Sequence, residues 1–185
     1  MTRLFKLVFA FGLLGAMAAS PVALGASAAE IDVRVKETIE DFKKNVNGAD
    51  VFLQQAAGYL VFPKVYKVGV GIGGETGEGA LLIGKEVVDY YRTSSGSVGF
   101  QLGAQARSIV IVFMTQESLS QFRNSEGWKV GIDGSVALID LGAGKTIDSK
   151  NIKDPVVGFI FGSKGLMYNL TLEGSKFSKL DKGTT

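Results

Sequence analysis

Residues 58–84 read GYLVFPKVYKVGVGIGGETGEGALLIG, from Gly58 to Gly84. The apolar run Tyr59–Phe62 has the residue types of a strand and ends at Pro63. A second run carries Gly69, Gly71, Gly73 and Gly74, and a third resumes after Gly77 and Gly79. Glycine inside a strand gives up side-chain packing and costs chain entropy. So much of it in β-rich sequence implies that strands bend sharply or cross closely there, or that a ligand approaches bare main chain.

The ligand reading meets two obstacles. Gly69, Gly71 and Gly74 satisfy the dinucleotide fingerprint, but that motif works only where a strand feeds a helix whose N-terminus meets the pyrophosphate. Glu75-Thr76-Gly77-Glu78-Gly79 follows instead, a poor helix start with carboxylates where phosphate would sit. Gly144-Lys145-Thr146 resembles the end of a P-loop, yet Ile139 stands where its first glycine belongs. Glu75 and Glu78 could hold Ca²⁺ or act as an acid/base pair. Without a third hard ligand placed by sequence, they read as solvated turn residues.

Toward the N-terminus, Arg3 and Lys6 precede the apolar run Leu7–Ala19, followed by Ala26-Ser27-Ala28. A basic start, a short apolar core and small residues at the cleavage positions are the pattern of a signal peptide. Residues 1–28 are therefore expected to be removed, leaving 29–185 as a single domain exported to the periplasm or cell envelope, or secreted. Removing Arg3 and Lys6 from 20 basic residues leaves 18, equal to the 18 acidic ones. Global attraction to nucleic acid is then not expected, and only a local patch could draw an anionic partner.

The chain has no His and no Cys. That excludes a Ser-His-Asp triad, a thiolate nucleophile, a disulfide and any His/Cys metal cluster. No metal, no cofactor and no enzymatic activity are expected.

Ile31, Val35, Ile39, Phe42 and Val46 recur at helical spacing, with charged residues between them, and Asn47-Gly48 ends the pattern. A second helix is predicted over 50–57, and a third from Thr115 to near Gly127, with Leu119 and Phe122 on one face. Strands are predicted at 59–62, 66–73, 79–84, 86–91, 98–104, 107–114, 128–133, 135–141, 156–161 and 165–172, with a hairpin turn at Lys164-Gly165. The polar tail after Leu180 is expected to fray.

Two basic groupings could meet a lipid headgroup. Lys64 and Lys67 flank Val65-Tyr66 after Pro63, placing two cations and an aromatic on one expected exposed turn. On the first helix, Arg34, Lys36, Lys43 and Lys44 could face phosphates while Ile39 and Phe42 enter an apolar layer. Ordinary solvated lysines and core packing explain both groupings equally simply.

Taken in order, Gly58-Tyr59-Leu60-Val61-Phe62-Pro63-Lys64-Val65, Val68-Gly69-Val70-Gly71, Gly73-Gly74 and Gly77-Glu78-Gly79 resemble the SYLF lipid-binding domain family. The likeness continues through Val98-Gly99-Phe100-Gln101-Leu102-Gly103-Ala104-Gln105, Ser163-Lys164-Gly165-Leu166 and Leu172-Glu173-Gly174. The resemblance implies an α+β domain: a strongly bent, glycine-rich, antiparallel β-sheet with a barrel-like core, on which the three predicted helices would pack. It also implies phospholipid or phosphoinositide-like headgroups as partners, through a membrane-binding N-terminal helix that carries over to Arg34, Lys36, Lys43 and Lys44. Eukaryotic members are described as actin-binding; for an exported chain actin is an unlikely partner by this reading. The rival expectation is an envelope module that docks a protein partner without lipid.

Overall fold

The computed structural model describes residues 25–70, 72–98, 103–140, 153–162 and 172–183. The expected signal-peptide core, the Lys145 motif, the expected Lys164-Gly165 turn and most of the expected 165–172 strand lie outside the described residues. Among the described residues three helices, α1 (Ala28–Asn45), α2 (Ala49–Gln55) and α3 (Gln116–Asn124), accompany eight strands. The strands are β1 (Gly58–Val70), β2 (Ile72–Ile83), β3 (Glu86–Val98), β4 (Gly103–Phe113), β5 (Trp128–Lys129), β6 (Ala137–Asp140), β7 (Val156–Phe161) and β8 (Lys176–Leu180). They form one sheet in the order β5-β8-β3-β2-β1-β4-β7-β6, curled into a half-barrel. The α+β class implied by the resemblance is the class observed.

Helix α1 starts where the Ser27 hydroxyl accepts from the Glu30 amide, while the Glu30 carboxylate accepts the Ser27 amide at 2.9 Å. This reciprocal cap satisfies two donors that would otherwise lack partners. Ile31, Val35, Ile39 and Phe42 then recur at the 3.6-residue period and are buried against the sheet. Phe42 packs on Phe159 of β7 with ring centroids 5.0 Å apart. The apolar face of α1 is therefore committed to the core.

The run Tyr59–Phe62 is apolar at every position because both faces of β1 are covered. Tyr59 and Val61 join the α1–α2 core, whereas Leu60 and Phe62 enter a second core under α3 with Leu119, Phe122, Trp128 and Phe177. Strand alternation alone divides the four residues between two layers. β4 repeats the device, with Val110 and Val112 on one side and Ile109, Ile111 and Phe113 on the other.

Pro63 does not end the strand, as the sequence pattern predicts, but sits in a bulge. Val61 pairs with Ala80 and Lys64 pairs with Glu78, so β1 holds one extra residue against β2. The ring removes an amide donor that a bulge can spare, and Ser108 Oγ donates to the Pro63 carbonyl at 2.9 Å. Gly77 and Gly79 of β2 lie under this bulge. A Cβ on Gly77 would lie 2.6 Å from the Lys64 carbonyl oxygen, and one on Gly79 would meet the Val61 carbonyl. Close crossing, the first of the sequence-derived alternatives, accounts for both glycines.

The same continuity corrects several other expectations. The segments at 59–62 and 66–73 are one strand until the tip near Val70, and Glu75 and Glu78 are mid-strand residues of β2 rather than turn residues. Predicted strand 128–133 shrinks to β5 plus a turn in which Asp133 Oδ2 accepts the Lys129 amide. β8 has no counterpart in the sequence reading, since only Phe177 and Leu180 mark it as apolar. The sheet is antiparallel except for β6 beside β7, which run parallel. The connection from Asp140 to Val156 is long enough to return the chain in the same direction.

Candidate functional site

The bulge decides which side chains share the outer face of the sheet beyond α1. One extra residue in β1 sends Val65 into the α3-side core and turns Tyr66 outward. Two cross-strand rows result. Lys64, Glu78 and Arg92 stand opposite one another on β1, β2 and β3, and Tyr66, Thr76 and Ser94 form the next row. The first turns of α1 end beside these rows and leave a groove of about 590 Å³, lined by Arg34, Lys64, Tyr66, Glu78, Arg92 and Pro63 among others.

Charge in the groove is organised around Glu78. Its Oε1 accepts Arg92 Nη2 at 2.6 Å and its Oε2 accepts Lys182 Nζ at 3.0 Å. Burial opposes ionisation of this carboxyl, but hydrogen bonds from Arg92 and Lys182, with both positive charges, outweigh it and hold the pKa below 4.5. Lys182 Nζ also donates to the Ala26 carbonyl at 2.8 Å, tying the C-terminal segment to the start of α1. Arg34 and Lys64 form no ion pair among the described residues, although the Glu30 carboxylate, one turn before Arg34, feels its charge. Tyr66 stands half exposed, at 50 %, with an apolar ring at the rim.

Of the seven residues proposed from sequence, Arg34, Lys64 and Tyr66 converge here. Lys36 and Lys43 lie roughly 200° and 180° around α1 from Arg34, at about 100° per residue. Lys43 is bound instead to Glu40 at 3.1 Å and Asp50 at 3.5 Å, and Lys44 is exposed elsewhere on the helix. Lys67 is not on a turn with Lys64. It pairs in register with Glu75, whose side chain faces the interior of the curl. Arg92 and Lys182 were missed by sequence reasoning, because their place depends on register and on the return of the chain terminus. Lys64 and Arg92 become visible as neighbours only once β1 and β2 are read through their glycines.

Inside the curl, Glu75 and Arg107 form a buried ion pair at 2.5 Å, with side chains 5 % and 4 % exposed. The Arg107 Nε is buried without a hydrogen-bond partner. Among the described residues no cluster of three carboxylates marks a metal site, and no helix is long and apolar enough to cross a membrane.

Residues 94–184, about half of the chain, match the Ysc84 family, described as Las17-binding protein actin regulator. Over this span the chain belongs to the SYLF family. The match covers β3 from Ser94 through β8 and includes Lys176 and Lys182 of this SYLF domain. That description names an actin regulator, so the dismissal of actin from sequence gains no support from it. No curated protein matched the chain.

Proposed function

We propose that this SYLF protein is a non-enzymatic, peripheral lipid-binding module of the cell envelope, with its headgroup site in the groove beside α1. The observation that carries the reading is the convergence of Arg34 and Lys64, neither in an ion pair among the described residues, on a groove rimmed by half-exposed Tyr66. Lining charges sum to a cationic site, since Arg34, Lys64 and Arg92 outnumber the one lining carboxylate, Glu78. Each lysine near an anionic bilayer contributes about 1 kcal/mol, and an interfacial tyrosine suits the boundary between headgroup and acyl chain. The apolar face of α1 is buried, so contact through the groove requires no undocking of the helix.

Vesicle co-sedimentation tests this reading. Binding should be strong to phosphatidylglycerol vesicles, weak to phosphatidylcholine and reduced by added salt. Arg34→Gln/Lys64→Gln should lower it without altering the folded spectrum. Equal failure to bind both vesicle types would sink the proposal.

A second reading is a protein-docking module, favoured by the family description as an actin regulator. Co-sedimentation with filamentous actin in the absence of lipid, unaffected by Arg34→Gln/Lys64→Gln, would favour it.

A further inference from the structure

The row that begins at Tyr66 does not stop at Ser94. Ser94 pairs with Lys176 on β8, and Lys176 pairs with Lys129 on β5. Tyr66, Thr76, Ser94, Lys176 and Lys129 therefore form one line across five adjacent strands. Their alternation with buried Val65, Thr93, Phe177 and Trp128 keeps the line on the outer face.

The far end of this line is a second cleft of about 530 Å³, whose walls include Ser94, Ser95, Lys129 and Lys176. Glycines shape it. Gly127 leaves room for the Lys176 chain, and Gly96 and Gly174 face open space. Neither Lys129 nor Lys176 has a carboxylate partner among the described residues. Asp133, whose Oδ2 accepts the Lys129 amide at 2.6 Å, is the one carboxylate lining the cleft, against two lysines.

Two cationic clusters thus flank a neutral strip whose side chains, Thr76 and Ser94, carry hydroxyls. The first is set around Glu78 of β2, with Lys64 and Arg92 on either side and one row away from the line, and the second lies between β8 and β5. Two and a half strand spacings across the sheet and two residues along it separate them, about 14 Å. A continuous polyanion would be matched by cations throughout. Cation–hydroxyl–cation matches instead a sugar unit with a phosphate at each end, because hydroxyls exchange hydrogen bonds with sugar hydroxyls while lysine and arginine take the phosphates.

We infer that the ligand is a bisphosphorylated glycolipid headgroup, held by one phosphate in the groove of Arg34, Lys64 and Arg92 and by the other at Lys129 and Lys176. This inference rests on the lipid reading of the first groove and names its ligand class.

The test uses phosphatidylcholine vesicles containing diphosphoryl lipid A, or monophosphoryl lipid A at twice the mole fraction to equalise phosphate. The diphosphoryl form should bind roughly tenfold tighter or more, given the two added lysine contacts. Lys129→Gln/Lys176→Gln should abolish that preference and leave binding to the monophosphoryl form nearly unchanged. Equal binding of both lipids, or a preference that survives Lys129→Gln/Lys176→Gln, overturns the two-cleft inference while the headgroup reading stands. Failure to bind any vesicle, together with Lys129-dependent binding of a soluble hexose bisphosphate, overturns the lipid source and supports the two-cleft chemistry. No binding in any arm overturns both.

Discussion

The Val61 carbonyl oxygen fills the space that a side chain on Gly79 would need. Backbone cannot yield as a flexible side chain can, so this contact joins the bulge of β1 to the glycine of β2. Gly79→Ala should destabilise the domain by roughly 3 kcal/mol, the upper range for overpacking a rigid site. Gly96→Ala, where nothing lies within 4 Å, should change stability by less than about 0.5 kcal/mol. Urea denaturation of the two variants measures the difference. Equal effects would show that the bulge is not locked against β2.

The buried pair of Glu75 and Arg107 gives a second prediction. Removing one partner leaves the other charge buried alone, and Glu75→Gln should cost about 3–5 kcal/mol. Replacing both by apolar residues of similar size, Glu75→Leu with Arg107→Met, should recover most of that loss, because the orphaned Arg107 Nε disappears with the charge. A double-mutant cycle by chemical denaturation separates the two cases. A double variant no more stable than either single one would mean that the pair is a net stabiliser.

What could be read from the chain differs between elements for physical reasons. Helix α1 was legible because Ile31, Val35, Ile39 and Phe42 have a period that one helical face imposes, whereas its cap was not, since Ser27 reads as part of a cleavage site. The strands were legible as apolar runs but not as continuous strands. Pro63 and Gly77 carry breaker signals locally, yet they are required by a bulge that exists only when β1 and β2 are paired. The candidate site divides in the same way. Arg34, Lys64 and Tyr66 could be suspected from residue type, whereas Arg92, Lys176 and Lys182 are brought to them by register across strands distant in sequence. Glu75, an expected solvated turn residue, is buried because its strand runs straight through the turn signals.

Two adjacent tyrosines set a third prediction. Burial and then the hydrogen bond to Asp32, at 2.9 Å, push the Tyr90 hydroxyl up to about 12. Burial and then the charge of Asp89 push Tyr91 up to about 12 as well. Both folded values exceed the ordinary 10.0, so the folded state holds these protons more tightly than the unfolded chain. The associated stability is intact below pH 10 and is lost as pH rises from about 10 to about 12. An ultraviolet titration should show Tyr90 and Tyr91 ionising late, with Tyr59 also raised by burial, and Asp32→Asn should bring Tyr90 earlier while leaving Tyr91 late. Simultaneous ionisation of both near pH 10 in folded protein would contradict the assignment.

The fourth prediction concerns the start of the folded domain. The sequence pattern expects cleavage after Ala28, yet the cap of α1 uses the Ser27 side chain and amide, and Lys182 hooks the Ala26 carbonyl. A chain beginning at Ala29 lacks all three contacts, and loss of a serine cap alone costs about 1 kcal/mol. Its new α-amino group would adjoin the first turn, where positive charge opposes the helix dipole. Protein beginning at Ala29 should therefore melt several degrees below protein beginning at Gly25, at about 2–4 °C per kcal/mol for a domain of this size. Ser27→Ala in the longer chain should reproduce part of the loss, and Lys182→Met another part. Equal melting of the two chains would mean that neither the cap nor the lysine hook contributes to holding α1 against the sheet.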